Sequence, residues 1–133
     1  MLIKVLIVDD IAETRDNVRR LLSFHEEIAV VGEAGNGLEA LEQVRKLKPD
    51  VVLMDINMPV MDGMTACQKI AALYPSARVV MMTVQGGQEY IRRAYQMGAK
   101  GYVVKPFSSE ELVNAIKSAY LTCERKLAAT LPC

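Results

Sequence analysis

The sequence predicts an α/β protein built as a doubly wound, five-stranded parallel sheet with helices on both faces. Short apolar runs alternate five times with segments of helical periodicity, and this alternation is typical of consecutive βα units. Several of these runs are apolar throughout, which is typical of parallel strands that are covered on both sides. A length of 133 residues suits one hydrophobic core of this kind. We therefore expect a single domain.

The first two βα units occupy the stretch up to Pro49. The first strand is predicted at 3–8 and its helix at about 12–24, followed by a second strand at about 28–33. The first helix should face inward at Val18, Leu21 and Leu22. The second helix has one apolar face, which comprises Ala40, Leu41, Val44 and Leu47. Pro49 should end that helix, because proline cannot continue the helical hydrogen bonds.

The remaining strands are predicted at 51–54, 78–82 and 101–104. Pro75 should end the helix that follows the third strand, and the glycine pair at 86–87 interrupts the chain after the fourth. The third helix is predicted from the apolar stripe Ala66, Cys67, Ile70 and Ala71. The fourth helix is predicted from Ile91, Ala94 and Tyr95.

The last helix begins with a capping box, since Ser108 is followed three residues later by Glu111. Apolar residues then recur at helical spacing, at Leu112, Ile116, Ala119, Tyr120, Cys123 and Leu127. A helix of about 20 residues is longer than one edge of a sheet needs. We therefore assign 1–121 to the domain and 122–133 to a helical extension, which is a linker, an oligomer contact or a frayed end.

The composition excludes several classes of partner. The chain has 16 basic and 16 acidic residues and no basic tract, which argues against binding to nucleic acid or an anionic membrane surface. No apolar run approaches the roughly 20 residues of a membrane span, and no signal peptide precedes the first strand, so a cytoplasmic location is expected. Three widely spaced cysteines argue against a disulfide framework or a zinc site.

Polar side chains follow four of the five predicted strands at the point where each strand ends. They are Asp9 and Asp10 after the first strand, Asp55 after the third, Thr83 after the fourth and Lys105 after the fifth. Because the carboxyl ends of parallel strands meet at one edge of the sheet, where such folds bind ligands, we expect these groups to lie together. Asp10 has an alternative interpretation as the cap of the first helix.

Three carboxylates in one place require a cation, because each raises the pKa of its neighbours. Oxygen ligands favour a hard ion, and Mg²⁺ fits best because it accepts one or two carboxylates together with a phosphate oxygen, with Mn²⁺ as a substitute. Lys105 supplies a positive charge suited to a phosphoryl group, and the Thr83 hydroxyl supplies a hydrogen-bond donor. The residues therefore predict a Mg²⁺-dependent phosphoryl site.

These motifs resemble the receiver domains of response regulators in two-component signalling. The resemblance extends over about 3–121 and implies a flavodoxin-like sheet with strand order 2-1-3-4-5. The matching stretches are Val8-Asp9-Asp10, Leu53 to Pro59, Met61-Asp62-Gly63, Met82-Thr83, Gly98 to Tyr102 and Lys105-Pro106-Phe107.

The resemblance also implies a role for each acidic residue. Asp55 would be the phosphoacceptor, taking a phosphoryl group from a histidine of a sensor kinase or a phosphotransfer protein. Asp10 would bind Mg²⁺ directly and Asp9 through water, while Asp55 and the main-chain carbonyl of Asn57 would complete the ligands. The domain would promote its own phosphorylation and dephosphorylation without being an enzyme toward other substrates.

By the same resemblance, phosphorylation would act as a conformational switch. Thr83 would hydrogen-bond to the phosphoryl group, Lys105 would pair with it, and Tyr102 would turn inward as Thr83 moves. The Lys105–Pro106 bond would be cis. The output surface would comprise the fourth helix, the fifth strand and the last helix, with Ile91, Arg92, Tyr95, Lys100, Tyr102, Asn114 and Lys117.

The implied partners are the kinase, a downstream effector domain or target protein, and a second copy in a phosphorylation-dependent homodimer. The segments Met81 to Gly86 and Tyr90 to Arg93 are also similar to receivers fused to a P-loop ATPase of the pilus-assembly, Min-like kind. This similarity predicts that the output domain is an ATPase. It does not alter the predicted roles of the phosphoryl-site residues.

Three other functions compete with this interpretation. An aspartate-nucleophile phosphatase of the haloacid-dehalogenase type needs a second Asp two residues after the first, where this chain has Asn57. The glycines at 32–37 lack the spacing of a nucleotide-binding loop. A receiver fold used only as an unphosphorylated docking scaffold would not need the complete acidic set.

Overall fold

A computed structural model describes the backbone at 2–84 and 87–128 and the side chains at 2–84 and 87–121. In this part of the chain strands and helices alternate. The strands are β1 (Ile3–Val8), β2 (Ile28–Ala34), β3 (Val51–Asp55), β4 (Arg78–Thr83) and β5 (Gly101–Val104). The helices are α1 (Ala12–Leu22), α2 (Gly37–Leu47), α3 (Gly63–Leu73), α4 (Gln88–Gln96) and α5 (Ser109–Ala128).

The strands form one parallel sheet in the order β2-β1-β3-β4-β5. Ile7 pairs with Leu53 and Leu53 with Val80, so the central strands lie in register across the sheet. The chain order reverses direction between β1 and β3, and a crevice forms there at the carboxyl ends. The predicted doubly wound fold is confirmed.

The apolar strands divide their side chains between two cores. Leu6, Val8 and Met54 face the core beneath α2 and α3, whereas Ile7 and Leu53 face the core beneath α1 and α5. All five are fully buried, which explains why the middle parts of the central strands are continuous apolar runs rather than alternating ones. The edge strand β5 differs, because only one of its four residues is buried.

Most predicted element bounds agree with the structure, and the differences have local causes. α1 ends at Leu22, slightly before the predicted end at about 24, because the chain turns at Ser23, whose N–H donates to the Arg20 carbonyl. Phe24 is consequently 82% exposed. In α4, Ala94 is buried as expected, but Tyr95 lies on the outer face and is 45% exposed.

The capping box of α5 is confirmed. The Ser108 hydroxyl accepts from the Glu111 N–H over 3.0 Å, and the Glu111 carboxylate accepts from the Ser108 N–H over 3.0 Å. Leu112, Ile116 and Ala119 of the predicted apolar face are fully buried. The expected contributions of Cys123 and Leu127 lie outside the described side chains. Within the described residues, no helix combines the length and apolarity that crossing a membrane requires.

Candidate functional site

Three carboxylates meet at the crevice and form what we call the three-aspartate site, comprising Asp9, Asp10 and Asp55. Asp9 directly follows β1 and Asp55 ends the neighbouring strand β3, so the parallel pairing brings them together. One carboxylate oxygen of each residue lies within 4.8 Å of the others. The side chains of Asp9 and Asp55 are 1% and 13% exposed, whereas Asp10 is open to solvent.

Lys105 enters the same site from β5. Its ammonium lies 3.2 Å from Asp9 Oδ2 and 3.2 Å from Asp55 Oδ1. The Lys105 N–H donates to the Thr83 carbonyl over 2.7 Å, which ties the end of β4 to this loop. The Lys105–Pro106 bond is cis, as the resemblance to receiver domains implied. The structure therefore brings four of the predicted residues together in one site, the three aspartates and Lys105.

Lys105 pairs with two of the three carboxylates, and burial together with these charges shifts the pKa values of Asp55 and Lys105. Burial raises the pKa of Asp55, and the charges of Asp9 and Asp10 add to that rise, while Lys105 opposes it. Burial acts to lower the pKa of Lys105, but the charges of Asp55 and Asp9 outweigh it, so this pKa is raised. A cluster of oxygen ligands with excess negative charge is the donor set that a hard divalent cation prefers.

The alternative role of Asp10 as a helix cap is wrong. The residue that precedes α1 is Ile11, and no side chain caps this helix. Asp9 accepts a hydrogen bond from the Ile11 N–H over 2.9 Å at Oδ1. Asp10 therefore does not cap α1, and its carboxylate belongs to the three-aspartate site.

The other predicted site residues, Thr83, Asn57 and Tyr102, have different surroundings. Thr83 is buried, at 6% exposure, while Asn57 is exposed on the loop after β3. That loop returns so closely that a Cβ on Gly63 would overlap the carbonyl oxygen of Asp55, which explains the glycine. Tyr102 faces outward at 38% exposure, and its ring meets that of Tyr95 edge-on, with centroids 6.2 Å apart.

The sequence reasoning missed an ionic network behind the site. Arg15 Nη1 donates to the Asp9 carbonyl over 2.6 Å, and Arg15 Nε donates to Glu33 over 2.9 Å. Arg19 also pairs with Glu33, at 2.7 Å. A sequence signal was present, because Glu33 is the charged residue in an otherwise uncharged strand and the two arginines lie one helical turn apart.

Comparisons with known proteins agree with this architecture. The family model for the response regulator receiver domain matches residues 5–117. The chemotaxis protein CheY of Listeria monocytogenes is 40% identical over 118 residues, which cover 89% of this chain and 98% of that protein. The response regulator GacA of Pseudomonas aeruginosa is 41% identical over 119 residues, but the chain spans only 56% of its length.

Solved structures give the same result. The response regulator domain of Thermotoga maritima CheB superposes with a TM-score of 0.84 at 34% identity, covering 90% of this chain and 97% of that one. CheY of Borrelia burgdorferi, in a complex with CheX, BeF3 and Mg²⁺, has a TM-score of 0.83 at 29% identity and 89% coverage of both chains. Since the family model extends from β1 into α5 and both kinds of comparison agree, the chain belongs to the receiver domain family of response regulators.

Proposed function

We propose that Asp55 is the phosphoacceptor of this receiver domain. The observation that carries the proposal is the position of its carboxylate at the end of β3, beside two further aspartates and 3.2 Å from the Lys105 ammonium. A partly buried carboxylate with a neighbouring cation is accessible to a phosphoryl donor and retains charge stabilisation during transfer.

Mg²⁺ is the proposed cofactor, and its ligands would be the carboxylates of the three-aspartate site and the main-chain carbonyl of Asn57. Three carboxylate oxygens within 4.8 Å fit a hard divalent cation. Mg²⁺ bound there would neutralise negative charge on the phosphoryl oxygens as they approach Asp55.

The proposed transfer is a displacement at phosphorus. An oxygen of Asp55 forms a bond to phosphorus as the bond to the donor histidine nitrogen breaks, and the nitrogen leaves with the bonding electron pair. Lys105, which pairs with Asp9 and Asp55 beforehand, offers its ammonium to the equatorial oxygens. Hydrolysis reverses the modification when water attacks phosphorus, restoring the Asp55 carboxylate and releasing inorganic phosphate.

The phosphoryl group would switch the output surface formed by α4, β5 and α5. Its oxygens would attract the Thr83 hydroxyl and Lys105, and Tyr102 would follow inward from its exposed position against Tyr95. Changing a 1:99 equilibrium to 99:1 requires about 5.5 kcal/mol. Charge-assisted hydrogen bonds contribute about 1.5 to 3 kcal/mol each, so two or three such contacts suffice.

The proposed partners are a sensor histidine kinase or phosphotransfer protein and a downstream target, by similarity to response regulators such as the Borrelia CheY found with CheX. The boundary of the receiver at residue 121, the role of 122–133 and the fusion to a P-loop ATPase stay predictions. Identifying the sequence that adjoins this domain in its natural reading frame tests all three.

Phosphorylation of the purified chain tests the proposal. The chain is incubated with Mg²⁺ and a small acyl-phosphate or phosphoramidate donor, and the modified fraction is measured on a phosphate-affinity gel. Wild type should shift, and the shift should disappear in Asp55→Asn and on chelation of the metal. Asp62→Asn is the matched control, because Asp62 is exposed and asparagine keeps its cap on the Thr65 N–H. A shift that persists in Asp55→Asn, or no shift in wild type, contradicts the proposal.

A further inference from the structure

Arg15 reaches the three-aspartate site through the main chain. Its guanidinium bonds to two groups at once, the carbonyl of Asp9 at 2.6 Å and the carboxylate of Glu33 at 2.9 Å. The Arg15 side chain is 20% exposed, so both bonds form in partly buried surroundings. A charged donor on a main-chain carbonyl is among the stronger hydrogen bonds in proteins.

The carbonyl of Asp9 belongs to the peptide that joins Asp9 to Asp10. Because a peptide unit is planar and stiff, a bond to this oxygen fixes the direction in which the chain enters Asp10. The other polar groups of Asp9 are held as well, since its N–H donates to Ala34 over 3.1 Å and its Oδ1 accepts from Ile11. Asp10 is the exposed member of the site, so the direction of its carboxylate depends on this turn.

Glu33 holds the guanidinium of Arg15 in place. It lies on β2 opposite Ile7 and accepts from both Arg15 and Arg19. Burial acts to raise the pKa of Glu33, but the hydrogen bonds from Arg19 and Arg15 outweigh it and hold that pKa below its ordinary value. Among the described contacts, Arg19 bonds to Glu33 and leaves the Asp9 carbonyl to Arg15.

We propose that Arg15 is a positioning residue for the metal site. Its bond to the Asp9 carbonyl orients the Asp9–Asp10 turn so that the Asp10 carboxylate would be available to a cation held together with Asp9 and Asp55. The inference rests on the proposed function, because it assigns Arg15 a role in the Mg²⁺ site of that same reaction. Residues that hold metal ligands in place commonly change metal affinity by about tenfold or more when removed.

If Arg15 acted only through its charge, its removal would change the Mg²⁺ affinity in the opposite direction. A guanidinium near the site repels a divalent cation, so its removal alone would tighten Mg²⁺ binding. Loss of positioning weakens the binding instead. The direction of the change in affinity therefore separates a positioning role from a bystander charge.

The test compares the Mg²⁺ dissociation constants of the unphosphorylated full chain by calorimetry or by titration of amide chemical shifts. Arg15→Ala should raise the dissociation constant by about tenfold. Arg15→Lys keeps the charge but loses the forked pair of bonds, and it should also weaken binding. Arg19→Ala is the matched control, since it removes a partner of Glu33 without removing the bond to Asp9, and its dissociation constant should stay at the wild-type value.

A kinetic comparison provides the second readout. The initial rate of phosphorylation of Arg15→Ala should be reduced at limiting Mg²⁺ and should return to the wild-type rate at saturating Mg²⁺. Unchanged or tighter Mg²⁺ binding in Arg15→Ala, or an equal weakening in Arg19→Ala, overturns the inference. If Arg15→Ala does not fold, Arg15→Lys decides by the same criteria.

Failure of the proposed function is distinguishable from failure of this inference. Phosphorylation that persists in Asp55→Asn rejects Asp55 as the acceptor, while the Mg²⁺ affinities still decide the role of Arg15. Conversely, a wild-type Mg²⁺ affinity in Arg15→Ala rejects positioning and leaves the phosphorylation of Asp55 intact.

Discussion

Ionisation of Asp55 costs stability, because its partly buried carboxylate lies beside two others. Its pKa is raised, with burial as the largest cause and the charges of Asp9 and Asp10 as further ones. A carboxyl whose pKa is higher in the folded state contributes its stability below the unfolded pKa and loses it as the pH rises through the folded pKa. At neutral pH the metal-free domain therefore contains a destabilising charge at the site of its chemistry.

We accordingly expect Asp55→Asn to stabilise the metal-free protein. The substitution removes a partly buried charge and its repulsion with Asp9 and Asp10, so the free energy of unfolding should rise by about 1 kcal/mol at about pH 7. The gain should vanish near pH 3, where the carboxyl of the wild type is protonated in both states. Urea unfolding in a chelator measures this, with Asp62→Asn as the exposed control. A less stable Asp55→Asn at neutral pH would show that the pair with Lys105 dominates.

Val60 is held in a left-handed backbone conformation, with φ of 70°. A β-branched residue pays a steric cost there, of about 1–3 kcal/mol for such outliers. Its side chain is 78% exposed, so packing does not offset the cost. The strained residue lies in the loop between β3 and α3, next to the proposed phosphoacceptor.

Val60→Asn should stabilise the domain by about 1 kcal/mol, because asparagine tolerates this region of backbone space. Equilibrium denaturation measures the change. Val84→Asn serves as control, since Val84 is also exposed, at 65%, but its φ is not positive. An equal gain in both variants would attribute the effect to loss of exposed apolar surface rather than to relief of strain.

At the scale of elements, the hydrogen bonds at the start of α5 stabilise the helix and also hold the loop that carries Lys105. Lys105 is followed three residues later by Ser108, whose hydroxyl and N–H bond reciprocally with Glu111. The next residue, Ser109, donates from Oγ to the Leu21 carbonyl over 2.8 Å and so ties α5 to α1. The cap therefore fixes the direction in which the chain leaves the Lys105 loop and enters the helix.

Ser108→Ala should lower the free energy of unfolding by about 1 kcal/mol, since it removes a side-chain cap from an N–H of the first turn. Ser108→Asp should restore most of the loss, because a carboxylate caps as well and suits the positive end of the helix. Thermal or chemical unfolding measures both. If both variants lost the same free energy of unfolding, the Ser108 hydroxyl would stabilise the protein through a contact other than the helix cap.

At the scale of the whole molecule, the fold could be predicted because each local signal agreed with the next. The nearly continuous apolar residues of β1, broken by Lys4, and the apolar run 51–54 of β3 indicated burial on both faces, and Ser108 with Glu111 indicated the start of α5. The end of α1 could not be placed, because Phe24 continues an apolar pattern that the turn at Ser23 interrupts. A turn of this kind is decided by main-chain bonds, which periodicity does not record.

The site was predictable in part for the same reason. Asp9 and Lys105 directly follow a strand and Asp55 ends one, and parallel strands bring their carboxyl ends together whatever the loops do. Arg15 was missed because its function, as proposed, runs through a main-chain carbonyl rather than through a side chain. The zero net charge of the sequence says nothing of the local excess of three carboxylates over one ammonium, but the residues at the strand ends do predict it.

Reductive trapping of the phosphorylated chain is the most direct test of Asp55 as phosphoacceptor. The chain is phosphorylated with a small donor and Mg²⁺, treated with borohydride, which reduces an aspartyl phosphate to homoserine, and digested for peptide mass spectrometry. We predict homoserine at position 55 and unmodified aspartate at Asp9 and Asp10, with no homoserine when Mg²⁺ is chelated. Homoserine at another aspartate, or none in a chain that has taken up phosphate, would contradict the assignment of Asp55.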